Sequence, residues 1–304
     1  MSEKYSGVLV LNKPDGFTSH DAVNKIRRIF HTKKVGHTGT LDPMATGVLP
    51  ILVGNAVKAS SFLVTDSKCY RAKMVLGIET DTEDTSGKIL AEHPITSSDA
   101  EVISAINSFI GESRQIPPMY SALKVNGQKL CDLARQGIEV EREARLINID
   151  RIWDVEKLSD NEWQFSASVS KGTYIRTLVA DIGKRLGCGG AMSGLCRISS
   201  GNFTLDKAYT LEEVEKYAEE DRLGELILET ESLFDSLEAI RLAPFYSKLA
   251  RNGQPIYSSR AKLTLPEVNE RVRLYDENGV FFALGEVIDL DGEKCVKSIK
   301  MFDV

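Results

Sequence analysis

Val35-Gly-His-Thr-Gly-Thr-Leu-Asp-Pro-Met-Ala-Thr-Gly-Val-Leu49 is the stretch on which the reading of this chain turns. Three glycines, a histidine, three threonines and one carboxylate share its fifteen residues. Glycine lets a backbone approach a ligand closely and adopt positive φ. Asp42 precedes Pro43, which biases it towards an extended conformation. Such a loop can aim one carboxylate at a substrate. The residue types alone also allow a tight turn, since Asp-Pro is a common turn dipeptide. A phosphate loop is a further reading, but neither G-x-x-x-x-G-K-[ST] nor a G-x-G-x-x-G after a strand occurs. The polar, glycine-rich run from Gly36 to Gly47 is expected to be a loop.

The flanking segments are regular. Gly7 to Leu11 reads as a buried strand. Ser19 is expected to cap a helix over 20–30, with Val23, Ile26, Ile29 and Phe30 on its apolar stripe. Residues 69–77 alternate, placing Tyr70, Ala72, Met74 and Leu76 on one strand face. Ser98 and Glu101 make a capping box before an apolar helical pattern. Trp163, Phe165, Ala167 and Val169 alternate again, and a helix over 174–186 should end at Gly187. Thr210 and Glu213 suggest another capping box opening a pair of acidic helices. From Val272 onward short strands are expected at 272–274, 280–284, 286–288 and 295–299. Asp276 to Gly279 and Asp289 to Gly292 supply turns between them. The pattern predicts an α+β main domain with a small all-β appendage joined near 235–243.

Composition narrows the function classes. The chain has 304 residues, enough for about two domains. Hydrophobic residues are 42% and charged residues 27%, near globular averages, which excludes a disordered chain. No run approaches the ~20 apolar residues that span a bilayer, and the N-terminus lacks a signal-peptide layout. A cytoplasmic location is therefore expected. Five cysteines without a C-x-x-C pair, and four histidines without an H-x-x-x-H pair, favour neither a disulfide framework nor a metal site. Net charge is −6, but it is unevenly spread. Residues 1–75 hold 11 Lys+Arg and 5 Asp+Glu, whereas 206–238 hold 3 and 12. The basic N-terminal region could face phosphates.

Several blocks together resemble the TruB-type family of pseudouridine synthases. Leu11-Asn-Lys-Pro-Asp-Gly-Phe-Thr-Ser19 is similar to the family's N-terminal motif, and Gly36 to Pro50 to its catalytic loop. Tyr70-Arg-Ala-Lys-Met-Val-Leu-Gly77 resembles its aromatic strand. Gln115 to Lys124, Ala134 to Glu139, Ser170 to Leu178 and Leu195 to Phe203 follow in family order. The resemblance implies a pseudouridine-synthase catalytic domain over residues 1–236, with a mixed, mainly antiparallel sheet and flanking helices. It also implies a small PUA-like RNA-binding β domain over 237–304. The match is weaker there, although Arg251, Gly253 and Gln254 stand where some such domains carry a short motif. At Leu195-Cys196-Arg197 the chain departs from relatives that have a basic residue in the middle position.

The implied activity is isomerisation of the T-loop uridine, position 55 of tRNA, to pseudouridine, by base flipping and without metal or cofactor. Asp42 would be the essential aspartate, and Arg176 its guanidinium partner, which would keep it ionised. Tyr70 would stack on the target base. Tyr174 and Leu195 would line the uracil pocket, and Lys13 with Pro14 would support the catalytic loop from behind. His37 would enter the space left by the everted base. Lys25, Arg27, Arg28, Lys33 and Lys34 are candidates for phosphate contacts. The implied partner is the T arm of tRNA, with no guide RNA, no membrane and a monomeric protein. A tRNA-binding module whose chemistry is incidental is the main competing reading. A nucleoside or glycoside hydrolase is another, but the sequence shows no obvious second carboxylate for it.

Overall fold

The computed structural model describes residues 4–63, 67–121, 123–125 and 127–302. Ala122, inside one of the family blocks, lies outside them. Chain order begins with β1 (Gly7–Lys13), whose apolar run is buried on both faces. Helix α1 (Ser19–Ile29) buries Ala22, Val23 and Ile26. Its cap is Thr18 rather than Ser19. Asp21 stands three residues beyond Thr18 and closes a reciprocal capping box, which Ala22 could not do for Ser19. β2 (Val35–His37) and β3 (Ala45–Val53) pair antiparallel. Both ends of the expected glycine-rich loop are therefore strand, and only residues 38–44 are irregular.

β4 (Lys68–Leu76) turns Tyr70, Ala72, Met74 and Leu76 inward, as the alternation predicts. β5 (Ile78–Thr80) and β6 (Ile89–Glu92) form a small ladder. α2 (Asp99–Asn107) carries the Ser98–Glu101 capping box. β7 (Gly111–Gln115) is followed by the short hairpin β8 (Lys124–Val125) and β9 (Gln128–Lys129), then α3 (Leu130–Arg135). β10 (Arg145–Lys157) and β11 (Glu162–Val169) pair antiparallel. α4 (Ile175–Leu186) ends at the left-handed Gly187. β12 (Gly190–Ser200), β13 (Phe203–Thr204), α5 (Leu211–Glu219) and β14 (Ile227–Leu228) follow. The Thr210–Glu213 box caps α5. No second acidic α-helix follows; 3-10 turns at Leu223–Leu226 and Thr230–Phe234 take its place.

Ten strands form one sheet, whose main path is β14-β1-β3-β12-β4-β11-β10-β7. The β3–β12 pair is parallel and its other ladders are antiparallel. One face packs on α1, α2 and α4 through Leu9, Leu11, Leu49, Ile51, Met74 and Phe165. Full burial of each such side chain is worth roughly 1.5–3 kcal/mol. On the opposite face Val8, Val10 and Leu52 meet Phe234, Leu284 and Phe302. The central strands are thus covered on both sides, which is why β1 reads as continuously apolar.

The C-terminal part is a five-stranded sheet, made of β15 (Glu238–Arg241), β16 (Ile256–Tyr257), β17 (Arg271–Tyr275), β18 (Phe281–Leu290) and β19 (Glu293–Met301). Its order is β15-β17-β18-β19-β16. It is not all-β: α6 (Pro244–Arg251) and α7 (Ser258–Ala261) lie among the strands. Proline at the first helical position pre-sets φ for α6 and loses no hydrogen bond there. The separate strands expected at 280–284 and 286–288 are one strand, interrupted only by a register shift at Gly285 against β19. The turns at 276–279 and 289–292 form as predicted, with Gly279 and Gly292 at positive φ.

Close packing of α4 onto β12 holds the helix that faces the loop. A Cβ on Gly183 of α4 would lie 2.2 Å from the Gly189 carbonyl carbon and the Gly190 nitrogen. Glycine is otherwise a poor helix residue by roughly 1 kcal/mol relative to alanine. Gly183→Ala is nonetheless expected to destabilise the fold by about 2–4 kcal/mol, because backbone must move to admit the methyl. Urea unfolding checks this, and a rise in the midpoint would contradict it.

Candidate active site

Arg176 occupies the first turn of α4, where free backbone N–H groups favour anions rather than cations. Helix formation does not call for it there. The residue is 6% exposed, and its guanidinium turns towards the loop after β2. Nε lies 3.0 Å from Asp42 Oδ2 and Nη2 donates to Asp42 Oδ1 at 3.3 Å, a side-on bidentate pair. Nη2 also donates to the Tyr120 carbonyl at 2.7 Å, and Nη1 to the Thr82 carbonyl at 3.0 Å. Nη1 further faces Asp84 Oδ2 at 3.6 Å. The planar fork is therefore fixed from three directions before it meets Asp42.

The loop carrying Asp42 is tied on both sides. Ser19 Oγ accepts from the Leu41 N–H at 2.8 Å and lies 3.2 Å from the Leu41 carbonyl. Lys13 is fully buried, and its Nζ donates to the carbonyls of Pro14, Phe17 and Pro43 at 2.7, 2.6 and 3.1 Å. The Gly16 N–H also reaches the Pro43 carbonyl. Further out, Arg197 Nε donates to the Val48 carbonyl at 2.6 Å and Nη2 to the Gly39 carbonyl at 3.2 Å. The parallel β3–β12 contact that brings Arg197 there needs Gly47, whose φ is +99°. A Cβ at Gly47 would lie 2.3 Å from the Arg197 carbonyl oxygen. Asp42 is thus held between anchored neighbours while its side chain remains 36% exposed.

Electrostatics around Asp42 are a balance. Burial pushes the Asp42 carboxyl above the ordinary carboxylate range. Arg176 pulls it back, and the Asp84 charge adds to the upward push. The expectation that Arg176 favours the ionised form has the right sign, but desolvation is the larger effect. Burial lowers the Lys13 ammonium to about 8, with Asp15 and Asp42 opposing. His37, on β2 opposite Ile51, is pushed below the usual imidazole range by burial first and Arg197 second. It is therefore predominantly neutral at pH 7.

The other predicted positions gather on the same sheet. Tyr70 is 8% exposed on β4, flanked by Arg197 of β12 and Ala167 of β11. Two pairs along, Leu195 lies between Ala45 and Ala72 and is partly exposed. Tyr174 is the residue before α4, and its backbone N–H and carbonyl pair with the Gln115 side chain at 2.8 and 3.1 Å. The five N-terminal cations behave differently from one another. Lys25 forms an ion pair with Glu215 of α5. Arg27 donates to Asn24 and to the Val35 carbonyl, at 3.0 and 3.1 Å. Arg28, Lys33 and Lys34 are exposed.

Sequence reasoning missed Asp84, the brace made by Arg197, and the tie that Ser19 makes to Leu41. Asp84 is 5% exposed, and its Oδ1 accepts from Thr82 Oγ1 and the Ser86 N–H at 2.8 and 3.0 Å. The run Asp81-Thr-Glu-Asp-Thr-Ser-Gly87 carries the turn chemistry that orients it, which is the signal available in the sequence. Among the described residues no three His, Cys, Asp or Glu side chains converge as a metal-ligand set would.

Known proteins match the chain over most of its length. Residues 27–175 match the TruB family pseudouridylate synthase (N terminal domain), and residues 176–235 match the tRNA pseudouridylate synthase B C-terminal domain. The tRNA pseudouridine synthase B of Alkaliphilus oremlandii is 44% identical over 298 residues, covering 97% of this chain and 98% of that protein. Its namesake from Shigella dysenteriae is 40% identical over 294 residues, covering 93% and 92%. Among solved structures, the "Crystal Structure of a Cbf5-Nop10-Gar1 Complex" contains a chain that superposes with a TM-score of 0.76 at 26% identity. That superposition covers 98% of this chain and 85% of the other. With matching domains across most of its length, and an aspartate and arginine joined where the family blocks stand, the chain belongs to the TruB family of pseudouridylate synthases.

Proposed function

We infer that the protein isomerises the T-loop uridine at position 55 of tRNA to pseudouridine. The observation that carries this reading is the Asp42 carboxylate, partly exposed and gripped by the buried Arg176. In this isomerisation the N1–C1′ bond breaks, the uracil turns, and C5 bonds to C1′. C5 loses a proton and N1 gains one, so no oxidant or reductant is needed. Breaking the glycosidic bond builds positive character at the ribose, which an adjacent fixed carboxylate stabilises. Attack at C1′, addition at C6 and removal of the C2′ proton all begin from ionised Asp42.

The placement of the neighbours supports a role for each. Arg176 holds Asp42 in one orientation, since its own position is set by the Thr82 and Tyr120 carbonyls. Lys13, with Pro14, fixes the backbone at Pro43. Tyr70 supplies a flat ring to the everted uracil, worth about 1–3 kcal/mol by stacking, while Leu195 and Tyr174 close the pocket sides. A neutral His37 suits entry into the gap left in the T loop without bringing an unpaired charge there. Residues 237–304 are read as a PUA-like RNA-binding unit apart from the catalytic domain at 1–236. The enzyme is read as a cytoplasmic monomer that takes tRNA without a guide RNA. No described helix is long and apolar enough to cross a membrane.

Two experiments test the assignment. Purified protein incubated with unmodified tRNA is expected to yield pseudouridine at the T-loop uridine, read by site mapping; free uracil as the product would indicate a hydrolase instead. Asp42→Asn is expected to bind tRNA normally while its rate falls below about one thousandth of wild type. Full modification by that variant would overturn the site.

The pH dependence has a defined sign. The reaction needs ionised Asp42, and burial raises its pKa, so the acid limb of kcat/KM lies above the ordinary carboxylate range. Asp84 contributes to that rise. Asp84→Asn removes a nearby negative charge, so the limb is expected to move to lower pH, as read from a pH–rate profile. A move to higher pH would contradict the electrostatic account.

A further inference from the structure

The catalytic loop also borders a buried guanidinium nitrogen that the roles above leave unused. Arg197 is fully buried, and among the described residues no carboxylate lies within ion-pair reach of it. Two of its nitrogens serve the Val48 and Gly39 carbonyls, but Nη1 is buried with no hydrogen-bond partner. A buried guanidinium nitrogen without an acceptor is costly and calls for an explanation.

Gly39 supplies one. Its φ is outside the positive range that favours glycine, so backbone conformation does not demand a glycine there. What its missing side chain leaves is space. A Cβ on Gly39 would stand 3.7 Å from Arg197 Nη1 and 3.5 Å from Lys68 Nζ. Two cations from neighbouring strands thus stand side by side next to a partly exposed glycine, three residues before Asp42. Lys68 likewise has no carboxylate within ion-pair reach among the described residues. Burial first, then the charges of Arg197 and Lys171, bring its ammonium down to about 8. The exposed Lys171 lies on the loop before α4. An excess of positive charge with no counter-charge among the described residues, together with a free donor, is what a phosphate would neutralise.

We propose that Gly39, Arg197 and Lys68 form a phosphate subsite, with Lys171 at its rim, that takes one backbone phosphodiester of the RNA strand next to the everted nucleotide. This rests on the tRNA reading above. It adds a fixed point for the strand close to the carboxylate, so that the flipped ribose is positioned by its own backbone as well as by its base.

The test uses the full chain carrying Asp42→Asn, titrated with a T-arm stem-loop by fluorescence anisotropy at several salt concentrations. Adding Lys68→Met is expected to weaken binding about tenfold near 0.1 M salt. It should also flatten the plot of log Kd against log salt by about 0.7–0.9, the share of one lost phosphate contact. Adding Gly39→Ala instead keeps every charge and, at 3.5–3.7 Å, makes only ordinary contacts. It is expected to fold, as thermal unfolding would show, yet to bind about tenfold more weakly because the methyl fills that space. A stem-loop series with one neutral methylphosphonate at each phosphate flanking the target uridine then locates the contact. One position should cost the parent about tenfold and the Lys68→Met form less than twofold. An unchanged salt slope, unchanged binding by Gly39→Ala, or equal methylphosphonate losses in both proteins would overturn the subsite. A subsite that takes only free phosphate would leave the series flat and is overturned the same way. Failure of the tRNA reading shows separately, as wild-type protein that makes no pseudouridine.

Discussion

The contact between Asp42 and Arg176 is the constraint around which the rest of the molecule is arranged. A partly desolvated carboxylate tends to take up a proton, and here burial does raise its pKa. The guanidinium limits that rise only because it arrives in a fixed orientation. Bonds to the Thr82 and Tyr120 carbonyls, with Asp84 behind, leave it two nitrogens aimed at one carboxylate. Lysine at this position would supply charge without the fork, so an exchange to lysine would not be conservative here.

Such a pair works only if both backbones hold still. On the α4 side, Gly183 lets the helix rest directly on the start of β12. On the loop side, Leu41 is tied to Ser19 and Pro43 to Lys13, while Gly39 and Val48 are tied to Arg197. These partners come from β1, α1 and β12, elements that are themselves packed into the sheet. The rigidity of a seven-residue irregular loop, 38–44, is thus borrowed from the sheet core. The same bracing sets the cations Lys13 and Arg197 against the loop, with Lys68 close to Gly39, in a chain of net charge −6. Much of the opposing charge sits in and after α5, whose Glu215 also engages Lys25.

Much of this was legible before any fold was known. Alternation in β4 and β11, the Ser98 and Thr210 capping boxes and the Gly187 stop are local signals, and the structure contains each of them. Errors arose where two local signals competed. Ser19 looks like a cap, but Asp21 is in register with Thr18. Gly285 looks like a strand break, but a register shift absorbs it and β18 runs on. Pro244 opens a helix inside a segment whose strands dominate the pattern. Lys25 and Arg27, named from the sequence as candidates for phosphate contacts, have partners across the fold in Glu215 and the Val35 carbonyl that no local signal shows.

By itself the sequence determined the fold class, the family and the identity of Asp42, Arg176, Tyr70 and Lys13 as residues to watch. Short-range periodicity and motif order are properties of neighbours in the chain, so they survive without coordinates. The family resemblance already named Arg176 as the partner of Asp42; only the tertiary structure decided the side-on geometry in which they meet across 134 positions, that Asp84 stands behind the pair, and that Arg197 is buried with a nitrogen to spare. Burial and partnership depend on segments brought together by the sheet. The desolvation that sets the charge state of Asp42 therefore exists only once that sheet has formed.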